Sequence, residues 1–178
     1  AVPGSEMALR LIGGWLGEGA YLWPAYRTHA AAFARGVAAV GPQGHRALLL
    51  ANPNNPDGRV VPAAQLRAWH EDLSARDGWL VVDEAFADAT PDMSVAGHVG
   101  AWPRLIVLRS FGKFFGLAGL RLGFVLGPAP VIGMLRALLG DWPIGAAALA
   151  MGGAAYRDGA WIARARGDLA MRAARMDQ

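Results

Sequence analysis

The chain contains no cysteine, which excludes a disulfide framework and any metal site built on thiolates. It also lacks a long apolar span. The uncharged runs 122–135 and 142–156 are interrupted by Gly or Pro and fall short of the roughly 20 residues that cross a bilayer. The first residues have neither the basic nor the apolar region of a signal peptide. From these absences we expect a soluble, cytoplasmic protein with no membrane partner.

Charge of one sign is not concentrated anywhere in the chain, although the net charge is +3. The most basic segment, 157–175, carries its arginines at helical spacing and without an aromatic platform or a nucleic-acid-binding motif. We therefore expect a solvated or interface helix face rather than a nucleic-acid surface. The histidines lie far apart and none pairs at ligand spacing, so we predict no metal site: His29, His45, His70 and His98.

Short apolar runs alternate with helical patterns along the chain. We expect strands near 20–23, 37–40, 46–51, 79–82, 105–108 and 122–126, and helices near 7–12, 26–36, 62–76, 129–139, 144–156 and 159–176. Such alternation predicts an α/β fold, with a mostly parallel sheet covered by helices on both faces in three layers. The length predicts one domain over residues 1–178.

Polar residues follow three of the expected strands. Asn55 follows the strand near 46–51, Asp83 ends the strand near 79–82, and Ser110 and Lys113 follow the strand near 105–108. The carboxyl ends of parallel strands meet at one edge of a sheet, where ligands bind. The sequence therefore predicts a binding site at this edge.

Lysine is almost absent, because Lys113 is the only one among 17 basic residues. An amine that must lose its proton and attack a carbonyl cannot be replaced by arginine, whose guanidinium stays charged. On this segment alone, a solvated loop lysine in an arginine-biased composition would look the same. We expect Ser5 to cap a helix whose first amides could bind an anion. Together with the acid Asp83, an anion site and a lysine suggest pyridoxal phosphate.

Other ligand motifs are not matched. Lys113 is followed by Phe114 rather than Ser or Thr, so the segment is not a P-loop, and the nearby glycines do not have the dinucleotide-binding spacing. Glu84 and Asp88 lie near the site in sequence, and we expect them to bond loop amides rather than to take part in catalysis.

Four motifs, in this order along the chain, resemble the fold-type-I pyridoxal-phosphate enzymes of aminotransferase class I/II. They are Asn54-Asn55-Pro56-Asp57-Gly58, Asp83-Glu84-Ala85-Phe86, Ser110-Phe111-Gly112-Lys113, and Arg121 eight residues after the lysine. The resemblance implies pyridoxal phosphate as cofactor, a homodimer with the site at the subunit interface, and a chain that forms the large domain without an amino-terminal segment and a small domain.

The resemblance also implies a role for each matching residue. Lys113 would form the Schiff base and Asp83 would face the pyridine nitrogen. The remaining cofactor contacts would be Asn55 on the ring 3-oxygen, Ser110 and Arg121 on the phosphate, Ser5 and Glu6 at the phosphate-binding helix start, and Tyr26 stacked on the ring.

Two positions depart from the family pattern. Phe86 stands where many aminotransferases have a tyrosine that bonds the 3-oxygen, and Asp57 stands where a threonine is usual. The segments around Asp83 and Lys113 look most like the threonine-phosphate decarboxylases of cobalamin biosynthesis, which are relatives of histidinol-phosphate aminotransferase. This resemblance implies decarboxylation of a small phosphorylated amino acid, L-threonine O-3-phosphate. The alternatives are a histidinol-phosphate type of aminotransferase and a non-catalytic fragment that binds the cofactor.

Overall fold

The computed structural model describes residues 1–176, which form one six-stranded sheet in the order β2-β1-β3-β4-β5-β6. The strands from β1 to β5 run parallel, and β6 is antiparallel to β5 at one edge. The mostly parallel sheet is thereby confirmed. The strands are β1 (Glu18–Leu22), β2 (Arg35–Ala39), β3 (Ala47–Ala51), β4 (Trp79–Asp83), β5 (Leu105–Ser110) and β6 (Gly123–Leu126).

Helices cover both faces of the sheet. They are α1 (Ser5–Leu16), α2 (Arg27–Ala30), α3 (Ala63–Ser74), α4 (Phe111–Phe114), α5 (Ala129–Leu139), α6 (Ala146–Arg157) and α7 (Gly159–Met176), with short 3-10 turns at Pro91–Met93, Ala96–His98 and Ala118–Leu120. Across residues 1–176, no helix combines the length and the apolar character needed to cross a membrane.

The central strands are apolar on both sides because each side packs against a helical layer. On one side, Leu49 and Ile106 pack into a core with residues of α1 and α5. On the other side, Leu48 and Leu80 pack into a second core with Leu66 of α3. The three-layer prediction is therefore confirmed.

The helix expected over 26–36 is wrong beyond Ala30. Helix α2 has only four residues, and β2 begins at Arg35, two residues earlier than the expected strand. The whole of β2 pairs with β1, from Glu18 opposite Arg35 to Leu22 opposite Ala39. Pairing along the sheet thus overrides the helix propensity of the alanine-rich segment.

The carboxyl ends of three strands lie in register. Ala51, at the end of β3, is opposite Asp83 at the end of β4, and Asp83 is opposite Leu108 of β5. The start of α1 joins the same edge, because Val2 and Gly123 exchange backbone hydrogen bonds of 2.9 and 3.0 Å. The loops that carry the predicted site therefore meet at one edge of the sheet.

Candidate functional site

An open cleft lies at the carboxyl edge of the sheet. We call it the carboxyl-edge cleft. The structure places every predicted site residue in its lining: Ser5, Glu6, Tyr26, Asn55, Asp83, Ser110, Lys113 and Arg121. Residues from five separate stretches of the chain are thus brought together, including the three that follow strand ends.

Lys113 lies in the short helix α4, directly after β5. The helix is anchored by Phe111, which is fully buried. Gly112 lies so close to the backbone that an added Cβ would come within 2.5 Å of the Cα of Ala118. Lys113 Nζ lies 5.9 Å from the ring centre of Phe86, the residue that replaces the family tyrosine. A short helix whose first residue is buried in the core therefore presents the amine of Lys113 to the cleft.

Asp83 is held at the end of β4 by two contacts. Its Oδ1 accepts the N–H of Ala85 at 3.1 Å, and its Oδ2 lies 3.2 Å from Nε2 of His29. An ionised carboxylate only accepts hydrogen bonds, so Nε2 carries the hydrogen and donates it. The carboxylate is thereby oriented, and Asp83 remains only partly buried at the cleft.

Sequence reasoning missed His29, which is fully buried behind Asp83. Its other ring nitrogen, Nδ1, has no hydrogen-bond partner among residues 1–176. The available signal was its position three residues after Tyr26, because such residues share a face of one helical turn. The two rings do meet edge to face, with centroids 6.4 Å apart.

The start of α1 forms one end of the cleft, which we call the anion-binding end because its groups are suited to a negative ligand. The residue that precedes the helix is Gly4 rather than the expected Ser5, because Gly4 has the positive φ (85°) with which the chain enters the helix. No side chain caps the helix. Its first amides are therefore free to bind a negative group.

Arg121 closes the anion-binding end from the other side. Its guanidinium lies against Gly4, where an added Cβ would come within 2.6 Å of Nη2. Glu6 would repel an anion, but its carboxylate pairs with Arg10 at 3.1 Å. Neither Lys113 nor Arg121 forms an ion pair with a carboxylate in the described part of the chain.

The loop after β3 presents Asn55 to the cleft. The amide of Asn54 donates to the carbonyl oxygen of Pro24 at 2.9 Å and to Oδ1 of Asp57 at 2.7 Å. The same oxygen accepts the N–H of Arg59 at 3.1 Å. These two hydrogen bonds lower the pKa of Asp57 below its ordinary value. Asp57, which departs from the family threonine, thus serves to brace the loop.

The arrangement joins three chemical functions in one cleft. An amine without a carboxylate partner can condense with a carbonyl group. A helix start and a guanidinium can bind a phosphate, and an oriented carboxylate can face a protonated nitrogen. The site is therefore suited to a phosphorylated carbonyl compound that also carries a basic nitrogen.

The amino-acid sequence is similar to those of known enzymes. The model of the family described as aminotransferase class I and II matches residues 26–178. A threonine-phosphate decarboxylase of Pseudomonas aeruginosa is 54% identical over 111 residues, which cover 62% of this chain and 33% of that protein. A histidinol-phosphate aminotransferase of Sodalis glossinidius is 40% identical over 101 residues, which cover 57% of this chain and 28% of that protein.

The fold also matches solved structures. The histidinol-phosphate aminotransferase from Clostridium acetobutylicum superimposes with a TM-score of 0.85 at 18% identity, over 92% of this chain and 55% of that one. At this identity the likeness concerns the fold alone. The chain spans about a third of the length of the curated relatives it matches.

Proposed function

The chain belongs to the aminotransferase class I and II family, and we propose that its carboxyl-edge cleft binds the cofactor of that family, pyridoxal phosphate, through Lys113. The chemistry of the lining fits this group. Lys113 is the only amine side chain available, and the anion-binding end lies in the same cleft. The close contact of Gly4 with Arg121 leaves no room for a side chain between the helix start and the guanidinium.

We assign the lining residues to parts of the cofactor by their chemistry and by the family resemblance. Asp83 would face the ring nitrogen and Asn55 the ring 3-oxygen, with Tyr26 against the ring. The phosphate would be held by the hydroxyl of Ser110, the guanidinium of Arg121 and the start of α1 at Ser5 and Glu6.

When bound, pyridoxal phosphate supplies an electron sink for the electron pair that is released when a bond at Cα of an amino acid breaks. Asp83 favours a proton on the nitrogen that it faces, and His29 keeps its carboxylate oriented. Lys113 Nζ is suited to accept or return a proton at Cα. Phe86 supplies an apolar ring where a tyrosine would supply a hydrogen bond.

We propose that the full-length protein decarboxylates L-threonine O-3-phosphate. Carbon dioxide leaves and a proton takes its place at Cα, which yields (R)-1-aminopropan-2-yl phosphate, an intermediate for cobalamin biosynthesis. The observation that carries this proposal is the 54% identity to a threonine-phosphate decarboxylase. The phenylalanine at position 86 supports it, since it departs from the aminotransferase tyrosine.

A second candidate is an aminotransferase of the histidinol-phosphate type, favoured by the 40% identity to such an enzyme. The two reactions share the cofactor site and differ in whether the carboxylate or the hydrogen leaves Cα. We further propose that residues 1–178 are the cofactor-binding large domain of a longer, cytoplasmic homodimer whose other parts hold the substrate carboxylate. Without those parts, the chain would bind the cofactor and turn over nothing.

Product analysis tests the reaction. The full-length protein is incubated with pyridoxal phosphate and O-phospho-L-threonine, in the absence of any keto-acid acceptor. We expect carbon dioxide and aminopropanol phosphate, and no product with Lys113→Ala. Amino-group transfer from histidinol phosphate to an added keto acid, without carbon dioxide from O-phospho-L-threonine, would establish the second candidate instead.

A further inference from the structure

A largely buried cluster of charged side chains lies directly behind the cleft. This ion cluster consists of Glu84, Asp88 and Arg109. Glu84 follows Asp83 at the end of β4, and Arg109 precedes Ser110 at the end of β5. Asp83 and Ser110 line the cleft, whereas Glu84 and Arg109 do not. Neighbouring residues of a strand point to opposite faces, so each cleft residue has a cluster residue on its reverse side.

Arg109 joins the two strand ends through their side chains. Its Nη1 donates to Oε2 of Glu84 at 2.8 Å, and its Nη2 donates to Oδ1 of Asp88. The backbone makes the same connection, because the N–H of Glu84 donates to the carbonyl oxygen of Leu108 at 2.8 Å. The ends of β4 and β5 are thus fixed to each other twice.

Glu84 has both carboxylate oxygens bonded and is fully buried. Ser94 donates its hydroxyl to Oε2 at 2.6 Å, and Val95 donates its N–H to Oε1 at 2.6 Å. The expected bond from Glu84 to a loop amide is confirmed by the second contact. Asp88 differs, since its side chain pairs with Arg109 instead.

The charges in the cluster depend on Arg109. Two buried carboxylates face this one guanidinium, and Oδ2 of Asp88 has no hydrogen-bond partner among residues 1–176. Burial lowers the pKa of Arg109, but the charges of Asp88 and Glu84 raise it by a larger amount, so its pKa lies above the ordinary value. A buried charge that loses its partner is strongly destabilising.

The cluster also contacts the surroundings of Lys113. Arg166 of α7 donates from Nε to the carbonyl oxygen of Asp88 at 2.8 Å. Its guanidinium lies 5.9 Å from the ring centre of Phe114, the residue next to Lys113. Loop 84–94, the lysine helix α4 and α7 therefore share one set of contacts.

We infer that Arg109 is a positioning residue, whose bonds to Glu84 and Asp88 set the place of Lys113 relative to Asp83. The inference rests on the proposed function, in which these two cleft residues act on one bound cofactor. Residue 109 lies four positions before Lys113, and the intervening chain leads directly from β5 into the anchored helix α4. A variant that loosens the end of β5 would therefore displace the amine of Lys113 through the backbone of α4.

The test uses the fact that Lys113 is the only lysine. Reductive methylation with ¹³C-formaldehyde labels its Nζ and the terminal amine alone, so the ¹³C signal of Lys113 reports its surroundings without any cofactor. The second readout is the dissociation constant of pyridoxal phosphate. The variants are Arg109→Lys, which keeps the charge but loses the forked contact, and Arg109→Gln.

We expect Arg109→Lys to move the Lys113 signal and to weaken cofactor binding about tenfold, as loss of an outer partner does at other preorganised sites. Arg109→Gln should have the larger effect. The matched control is Arg104→Gln at the opposite end of β5, which breaks a 2.7 Å pair with Asp77. The control should leave the signal and the affinity unchanged.

Ser94→Ala is the substitute variant if an Arg109 variant does not fold. It removes one hydrogen bond to Glu84 and leaves every charge in the cluster paired. It should move the Lys113 signal less than Arg109→Lys does. Folded Arg109→Lys and Ser94→Ala proteins with a native Lys113 signal would overturn the inference. Absence of cofactor binding by the native chain would instead overturn the proposed function, and the ¹³C signal would still decide the inference.

Discussion

The two ends of the sheet carry clefts with similar residues and different charge pairing. We call the second one the amino-edge groove, which is lined by Trp15, Leu16, Gly17, Glu18, Arg35, Arg46, Asp77, Trp79 and Arg104. In this groove two of the three arginines are paired, Arg35 with Glu18 at 2.8 Å and Arg104 with Asp77 at 2.7 Å, and Arg46 has no carboxylate partner in the described part of the chain. In the carboxyl-edge cleft, Lys113 and Arg121 have no such partner in the described part of the chain.

Ion pairs thus neutralise most of the positive charge in the amino-edge groove, whereas both Lys113 and Arg121 are available to a ligand in the carboxyl-edge cleft. Exposed ion pairs contribute little to stability, but they neutralise the charge that would attract an anion. Unpaired cations beside a helix start leave a positive field at one place. The carboxyl-edge cleft also has a carboxylate, Asp83, that is oriented by His29 and a backbone N–H rather than by an arginine, and this completes the set of groups that we propose for the cofactor.

The largest effect should come from removing the amine while keeping its charge. Lys113→Arg retains a cation beside Phe86 but cannot condense with an aldehyde, because a guanidinium does not lose its proton. We expect complete loss of the adduct that borohydride reduction fixes between pyridoxal phosphate and the native chain, measured by intact mass. A reduced adduct that persists inside the folded variant would assign the covalent bond to another group.

The next effect compares one arginine from each cleft. Arg121→Gln would remove the charge-assisted contact that we propose with the cofactor phosphate, worth about 1.5–3 kcal/mol, so the dissociation constant should rise roughly 10- to 100-fold. Arg104→Gln, at the amino-edge groove, should leave it unchanged. Fluorescence titration with pyridoxal phosphate measures both. Equal losses in the two variants would contradict the contrast between the clefts.

A smaller effect should separate two glycines that both have positive φ. Gly4 (φ 85°) lies against Arg121, whereas Gly17 (φ 76°) has nothing within 4 Å of an added Cβ. Alanine is strained at both positions because their ψ angles of 149° and -56° lie outside the left-handed helical region, at a cost of about 1–3 kcal/mol, but only Gly4→Ala displaces the guanidinium. We therefore expect similar losses in thermal stability and a several-fold loss of cofactor affinity in Gly4→Ala alone.

The parts of the fold that the sequence predicted are those in which one interaction dominates. The sequence predicted strands β3, β4 and β5 because both of their faces are buried, so that each strand is a continuous apolar run. The cleft was readable because parallel strands bring their carboxyl ends, and the polar residues that follow, to one edge. The roles of Asn55 and the other lining residues remain predictions.

The sequence did not predict contacts between residues that lie far apart in the chain. His29 meets Asp83 across 54 positions of the chain, and nothing near either residue indicates the partner. The pairing of Glu84 with Arg109 follows from the register of β4 and β5, which the sequence does not state. The failed helix over 26–36 has the same cause, because the pairing of β2 with β1 decides its conformation.

The smallest effect concerns the proton of Tyr156, which lies beside the ion cluster behind the cleft. Its ring packs against those of Phe115 at 4.9 Å and Phe111 at 5.7 Å. Burial, aided by the charge of Asp88 and opposed by that of Arg109, raises the pKa of Tyr156 to about 12. The amino-edge groove offers no comparable buried charge, since its ion pairs are exposed.

The sign of the resulting pH dependence follows from the two states. Between pH 10 and 12 the folded chain keeps the phenol proton of Tyr156, whereas the unfolded chain, with a pKa of about 10, loses it. This contribution to the free energy of unfolding is therefore complete below pH 10 and is lost as the pH rises to 12. The urea midpoint should fall more between pH 8 and pH 11 for the native chain than for Tyr156→Phe, with Tyr21→Phe in β1 as the matched control. An equal fall in native and Tyr156→Phe proteins would show that burial does not raise the pKa of this phenol in the folded chain.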